Sequence, residues 1–256
     1  MDATMLTLKA TGKEAPRLRT AQIVALHLAP GLLATPAYIG LAPVVTGAGA
    51  PPALALLLVS LFVLLPVELG YLLYQGRRRN GRWAPAGVVL YRAPLARRQY
   101  LLLVPALLVW SAVSSTLLTP LDEAIRQSLF AGLPDWFFAT NFVQNLGQYS
   151  RESLVAVLLL SAVLNIAVPA VEELYFRGYL LPRMAGAGRW APLLNVALFS
   201  LYHLWTPWDN PARIVALLPV VYAVWWQRNI YLSMAVHCAL NTIGTLGLLA
   251  LLITRL

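Results

Sequence analysis

The sequence predicts an all-α fold: a polytopic membrane bundle of about seven transmembrane helices, within a range of six to eight. Hydrophobic residues make up 59% of the 256 residues and charged residues only 11%, whereas soluble domains carry about a quarter charged residues. The mean hydropathy is +0.69. Leu- and Ala-rich apolar runs follow one another along the chain, without the alternation typical of a membrane β-barrel.

Each run is judged against the length of a membrane span, which is about 20 residues within a range of about 17–25. Five runs reach this length, and the fifth and sixth are short enough to cross only as thin or tilted spans. A polar stretch precedes the first run, and no small-residue cleavage site follows it. We therefore expect a span there rather than a removable signal peptide. The runs are 21–43, 52–75, 99–118, 153–182, 190–206, 212–227 and 230–252.

The placement of the basic residues predicts how the chain is oriented. The net charge is +9, and most of the basic residues lie before the first run or in alternate loops. The positive-inside rule then predicts a cytoplasmic N-terminus. The Ala-, Leu-, Arg- and Pro-rich composition with only two lysines is typical of a high-GC bacterium, so we expect a bacterial inner membrane. Because topology accounts for the arginines, we expect membrane lipids as partners and no nucleic acid. These residues are Lys9, Lys13, Arg17, Arg19, Arg77, Arg78, Arg79, Arg82, Arg92, Arg97, Arg98, Arg183, Arg189 and Arg228.

Two further features bound the architecture. Segment 121–150 is polar and aromatic, and it suits either an interfacial helix on the external leaflet or a lid over a cavity. Cys238 is the single cysteine of the sequence, which excludes an internal disulfide and a multi-cysteine metal site.

A small set of polar side chains lies inside the apolar runs. Charged groups at the middle of a bilayer cost about 2.5–3.5 kcal/mol each, so they are rare and usually line a cavity. The spacing of Glu173 and Arg177 places both on one helical face, and their main expected role is a mutual ion pair. Glu172 lacks such a local partner and needs one from another helix. The set is His27, Glu68, Asn165, Glu172, Glu173, Arg177, Asn195, His203, His237 and Asn241.

Four of these groups, on three helices, fall at one predicted depth. Glu172, His203, His237 and Asn241 lie about 12–20 Å from the cytoplasmic helix ends at about 1.5 Å per residue. This predicts a catalytic cavity in the cytoplasmic half to the middle of the membrane. A carboxylate facing an imidazole can take a proton from water, and a second imidazole with an amide can stabilise an oxyanion. Neither a nucleophile motif nor HExxH is present, which favours hydrolysis by activated water.

The remaining polar residues have simpler explanations. His27 and Glu68 fall near the predicted cytoplasmic edge, where snorkelling or a headgroup contact suffices. Asn165 shares the helical face of Glu172, and a hydrogen bond between packed helices is its expected role.

Three motifs carry a resemblance to a known family. They read EELYFR at 172–177, FSLYH at 199–203 and HCALN at 237–241, in this order along the chain. The sequence resembles the CAAX prenyl protease and bacteriocin-processing (CPBP) family of intramembrane glutamate-type endopeptidases, whose pattern is EExxxR, FxxxH and HxxxN or HxxxD. The resemblance covers about 150–245.

The resemblance implies a catalytic core at 150–245 in a single membrane domain of 1–256, with helices and a basic cytoplasmic loop at 1–98. It implies that Glu172 is the general base that activates water together with His203. His237 and Asn241 would form the oxyanion site. It further implies supporting or substrate-binding roles for Glu173, Arg177 and Phe199.

The resemblance implies a mechanism without an obligate cofactor. A zinc site from Glu172, His203 and His237 is nevertheless chemically possible, since two His and one Glu can bind zinc.

The expected function is cleavage of a membrane-associated peptide or a transmembrane-tailed protein. Two other classes remain open at this point. One is a catalytically silent peptide-binding or immunity protein. The other is a proton-coupled transporter that uses Glu172 and the histidines as a relay, although the lack of internal repeats makes it less attractive.

Overall fold

The computed structural model describes residues 17–255, so Lys9 and Lys13 lie outside the described part. Seven helices and no named strand occur in that part, which confirms the all-α prediction. The division into segments 1–98 and 150–245 stays a prediction. The helices are α1 (Thr20–Gly47), α2 (Pro52–Asn80), α3 (Arg97–Leu129), α4 (Arg151–Glu172), α5 (Ala191–Tyr202), α6 (Asn210–Gln227) and α7 (Ile230–Arg255).

Five stretches of helix are long and apolar enough to cross a membrane. They are α1, α2, α3, the helical run Arg151–Tyr202 that contains α4 and α5, and most of α7. The helix α6, in the sixth predicted run, has 18 residues and is not among them. The chain is therefore a polytopic membrane protein, and the two runs predicted to be short are the ones that do not form long separate spans.

Two of the helices depart from regular α geometry. The helix α2 contains a π-helical turn, Ser60–Leu64. The helix α4 continues into a π-helical segment, Glu173–Leu180, and then into 3₁₀ turns, Leu181–Trp190, before α5 begins. Such π segments are often found at functional sites. The transition at Glu173 matters here, because it lies between the two adjacent glutamates.

The basic loops come together at one end of the bundle. The backbone N–H of Leu90 donates to the carbonyl of Gly178 at 2.8 Å, and that of Ala93 to the carbonyl of Arg228 at 2.9 Å. The N–H of Leu18 donates to the carbonyl of Arg183 at 3.3 Å. The segment before α1 and the three connections α2–α3, α4–α5 and α6–α7 therefore share one face. These are the segments that the charge pattern predicted to lie on one side of the membrane.

Segment 130–150 covers part of the opposite end. It forms two 3₁₀ segments, Asp135–Phe137 and Asn141–Gln148, and packs into the bundle. The Tyr38 hydroxyl on α1 donates to the carbonyl of Trp136 at 2.8 Å, and the Phe138 and Trp208 rings lie 5.1 Å apart. An interfacial helix was therefore the wrong alternative for this segment. It covers the interior as a lid would, because the side chains of Phe137, Phe138 and Phe142 are buried.

Candidate active site

A cavity of about 690 Å³ lies between the helices, a volume typical of ligand sites. Part of its wall consists of segment 130–150, which contributes Thr140 and Val143. All four predicted catalytic residues line it, together with one predicted supporting residue. These five are Glu172, Phe199, His203, His237 and Asn241.

Glu172 is the last residue of α4, and its side chain is buried. The Tyr202 hydroxyl on α5 donates a hydrogen bond to Oε1 of Glu172. The second carboxylate oxygen, Oε2, lies 3.8 Å from Nε2 of His237 on α7. The partner that the sequence required from another helix is therefore Tyr202, with His237 nearby. Sequence reasoning missed Tyr202, although its hydroxyl stands next to the motif histidine in FSLYH.

His203 follows the last residue of α5, where the helix ends. Its Nδ1 lies 2.9 Å from the backbone carbonyl oxygen of Phe199. Because a carbonyl only accepts, Nδ1 carries the hydrogen in this geometry and Nε2 holds the lone pair. The Tyr202 and Trp205 rings pack against the imidazole at centroid distances of 4.3 and 5.0 Å. The imidazole is thus held in one orientation, with a nitrogen able to accept a proton.

His237 is oriented by the second glutamate of the motif. Its Nδ1 lies 3.0 Å from Oε1 of Glu173, and Nδ1–H donates to this carboxylate. The other ring nitrogen, Nε2, then faces Glu172. A histidine whose far nitrogen is fixed by a carboxylate is a common arrangement in active sites, because it sets the tautomer and the ring orientation.

Glu173 and Arg177 do form the predicted ion pair, with Arg177 Nε 3.5 Å from Glu173 Oε2. Both side chains are almost fully buried. Neither is among the described residues that line the cavity. The Arg177 guanidinium carbon lies 3.9 Å from the centroid of the Phe199 ring, a cation–π contact. Glu173 therefore contacts a cavity-lining residue, His237, and Arg177 contacts another, Phe199.

Asn241 lies one turn after His237 on α7 and lines the same cavity. Asn165 on α4 donates from Nδ2 to the Thr245 hydroxyl at 2.7 Å, which joins α4 to α7. The same amide lies 3.4 Å from the backbone oxygen of Asn241. The predicted helix-packing role of Asn165 is confirmed, and it anchors the turn that presents Asn241.

His27 and Glu68 correct the sequence interpretation, because neither snorkels to the membrane edge. His27 is fully buried, with Nδ1 2.8 Å from the carbonyl of Ile23 and Nε2 3.0 Å from the Asn195 amide. Glu68 on α2 is 1% exposed, and neither carboxylate oxygen has a hydrogen-bond partner among residues 17–255. The positions of the helix ends suggested exposure, whereas packing of α1 and α2 against the other helices buries both side chains.

The outer part of the cavity carries charged side chains from the connection between α5 and α6 and from the start of α6. Arg213 on α6 donates to the Thr206 hydroxyl at 2.8 Å and lies 3.6 Å from the carboxylate of Asp209. Burial raises the pKa of Asp209, and the Arg213 guanidinium opposes this rise. Arg213, Asp209 and Thr206 all line the cavity, so its outer part is polar.

The described residues do not fit a zinc site. Zinc would require Glu172, His203 and His237 together. No group of three or more His, Cys, Asp or Glu side chains between residues 17 and 255 is placed to hold a metal ion. The lack of a cofactor stays a prediction.

Fold and site together define a polytopic membrane protein in which a glutamate and two histidines line a cavity inside the bundle. Residues 153–243 match the family model of the type II CAAX prenyl endopeptidases described as Rce1-like. This range covers about a third of the chain and contains all three motifs, so the resemblance is confirmed there. No curated protein and no solved structure matches the chain significantly.

Proposed function

We propose that this protein is an intramembrane endopeptidase that hydrolyses a peptide bond with water activated by Glu172 and His203. One observation carries the proposal: a carboxylate and two imidazoles from three parts of the chain line one cavity. Each is oriented by a further group, namely Tyr202, Glu173 or the carbonyl of Phe199. The match to an endopeptidase family supports the same reaction class.

The first step is removal of a proton from water. Oε1 of Glu172 accepts from Tyr202, which leaves Oε2 as the basic oxygen. Nε2 of His203 accepts a second hydrogen bond from the same water and aligns it. The water oxygen then bonds to the carbonyl carbon of the peptide to form a tetrahedral intermediate, and Glu172 passes its proton to the peptide nitrogen as the C–N bond breaks. General acid–base catalysis of this kind contributes about 10²–10⁴-fold to the rate.

The second step is stabilisation of the negative oxygen that forms on the attacked carbonyl. His237 donates from Nε2 only in its doubly protonated form, because Nδ1–H is already donated to Glu173. The side-chain amide of Asn241 provides a second N–H donor. Fixed donors of this kind are worth about 10²–10³-fold each in other hydrolases.

The substrate is a membrane-associated peptide or the transmembrane tail of a protein. The cavity wall combines the polar site with aliphatic side chains that can receive an apolar segment. We further propose that the basic end of the bundle faces the cytoplasm in a bacterial inner membrane, because basic loops are retained on that side. The aliphatic wall residues include Leu56, Leu57, Leu64, Val157, Leu164 and Leu217.

The test compares membrane peptides from cells that express the full chain or its Glu172→Gln variant. Mass spectrometry should find peptides, or shortened protein tails, that appear only with the unchanged protein. Glu68→Gln is the matched control, because it makes the same substitution at another buried glutamate, one that does not line the cavity. Identical peptide profiles for the unchanged protein and Glu172→Gln, at equal protein levels, would argue against peptidase activity. Peptide binding without cleavage would then support a silent immunity protein, and uptake into liposomes would support a transporter.

A further inference from the structure

A second cavity lies at the basic end of the bundle and shares no lining residue with the first. Its volume is about 440 Å³. The start of α1, the end of α2 and the segment after α4 form its wall. Three arginines line it, Arg78, Arg79 and Arg183.

Arg183 is the central feature of this cavity. Its side chain is 1% exposed. It donates from Nη1 to the carbonyl of Tyr179 at 2.6 Å and from Nη2 to the carbonyl of Val88 at 3.0 Å. The guanidinium carbon lies 3.7 Å from the centroid of the Tyr179 ring. All of these partners are neutral.

No carboxylate of the described residues lies within ion-pair distance, 4.0 Å, of Arg183. A buried charge without an opposite charge is costly, so buried cations are usually paired. Arg177 follows this rule through Glu173, whereas Arg183 does not. The difference indicates that Arg183 receives its anion from outside these residues.

Other groups make the cavity still more favourable for an anion. Arg78 and Arg79 add two guanidinium groups from the last turn of α2. Gln22 lies in the first turn of α1, where the partial positive charge of a helix N-terminus favours negative groups. The hydroxyls of Tyr71 and Tyr179 lie 3.3 Å apart; one donates to the other, and the remaining hydroxyl hydrogen provides one further donor. Three cations meet here without a described carboxylate.

The surroundings identify the class of anion. The cavity lies at the basic end of membrane-spanning helices, and Ala25 and Leu26 give it an apolar side. Basic pockets between transmembrane helices bind the headgroups of anionic phospholipids. We propose that this cavity binds the phosphate of an anionic phospholipid headgroup, held by Arg183, Arg79 and Arg78.

Binding here has a direct structural link to the candidate active site. Tyr179 lies in the π segment that begins at Glu173, and Arg183 follows it in the next turns. The Tyr175 hydroxyl, from the same segment, donates to the carbonyl of Leu26 at 2.8 Å. A bound phosphate therefore braces the segment that carries Glu173 and Arg177. The proposed site itself does not depend on the peptidase proposal.

The test titrates the purified full chain in neutral detergent and counts bound lipids by native mass spectrometry. Phosphatidylglycerol should bind at least fivefold more tightly than phosphatidylcholine. Arg79→Gln should weaken phosphatidylglycerol binding by about fivefold, because one cation near a phosphate contributes about 1 kcal/mol. Arg98→Gln is the matched control, an exposed arginine outside this cavity, and should change binding less than twofold. Arg183→Gln should abolish the preference for phosphatidylglycerol.

Binding measurements on the variants, and with inorganic phosphate in place of lipid, can refute the proposal. Arg79 is exposed, so its variant remains informative even where Arg183→Gln fails to fold. Equal losses in Arg79→Gln and Arg98→Gln would overturn the site in favour of general surface charge. Equal binding of both lipids would overturn it too. Binding of inorganic phosphate that depends on Arg79, without any lipid preference, would overturn the phospholipid as the source.

Discussion

Tyr202 on α5 donates its hydroxyl hydrogen to Oε1 of Glu172 on α4. This bond joins two of the three motifs through a residue that the motif pattern does not include. It fixes one carboxylate oxygen and leaves the other, 3.8 Å from His237 Nε2, free to act. The proposed base is therefore held in place by a neutral donor on one side and approached by an imidazole on the other.

Replacing this donor gives the first prediction. Tyr202→Phe removes a hydrogen bond to a charged group, worth about 1.5–3 kcal/mol. We expect kcat to fall by about 10- to 100-fold with little change in KM, because the carboxylate loses its orientation. Steady-state cleavage in proteoliposomes measures both constants. An increase in KM at unchanged kcat would instead mean that Tyr202 contacts substrate.

Arg177→Lys tests the support behind Phe199. Lysine keeps the charge that pairs with Glu173 but loses the flat guanidinium that lies over the Phe199 ring. We expect a fall in kcat of about tenfold and a small decrease in thermal stability, since cation–π contacts contribute about 0.5–2 kcal/mol. Arg98→Lys, at an exposed position, is the control. Unchanged kcat in Arg177→Lys would show that charge pairing alone suffices.

Glu68→Gln should leave the reaction almost unchanged and keep or raise thermal stability. The Glu68 carboxylate is buried without a hydrogen-bond partner among the described residues, so an ionised form there is costly. Glutamine has the same shape and carries no charge. Thermal unfolding in detergent measures the stability of the variant, and the cleavage rate measures its activity. A loss of activity beyond tenfold would place Glu68 in the catalytic machinery.

Gly178→Ala tests the packing of the basic loop against the π segment. A Cβ at Gly178 would lie 2.6 Å from Cγ1 of Val89, and such overpacking typically costs about 1–3 kcal/mol. We expect a lower unfolding temperature, with recovery in the double variant Gly178→Ala, Val89→Ala. A destabilisation that the second substitution does not relieve would mean that the clash with Val89 is not its cause.

Exhaustive chelation tests whether cleavage requires a metal cofactor. We expect cleavage by the purified protein to continue at the same rate after prolonged dialysis against EDTA and phenanthroline, because the proposed water activation uses only side chains. Loss of activity that zinc restores would contradict this and would point back to Glu172, His203 and His237 as ligands.

Much of the architecture could be predicted because it follows from composition and local pattern. Apolar runs and basic loops gave the helices and the end where those loops meet. That Glu172, His203 and His237 line one cavity could be predicted because their depths along separate helices could be counted. The packing role of Asn165 could also be predicted, because helical periodicity shows which face of α4 carries it.

The remaining features of the site depend on contacts between packed helices, which local patterns in one sequence do not reveal. The partnership of Tyr202 with Glu172 requires the crossing of α4 and α5. Glu173 contacts His237 on α7 as well as Arg177, and spacing along one helix predicts only the second of these contacts. His27 and Glu68 were misplaced because distance from a helix end says nothing about packing from the side.

The central claim is that Glu172 activates water, and single-turnover cleavage by the purified Glu172→Gln variant tests it most directly. The substrate is a peptide that the comparison of membrane peptides identifies, and its cleavage is measured in proteoliposomes at saturating protein. We expect the cleavage rate of Glu172→Gln to be about 10²–10⁴-fold below that of the unchanged protein. The Glu68→Gln control should stay close to the unchanged rate. A Glu172→Gln rate within threefold of the unchanged protein, in a folded and inserted sample, would contradict the account.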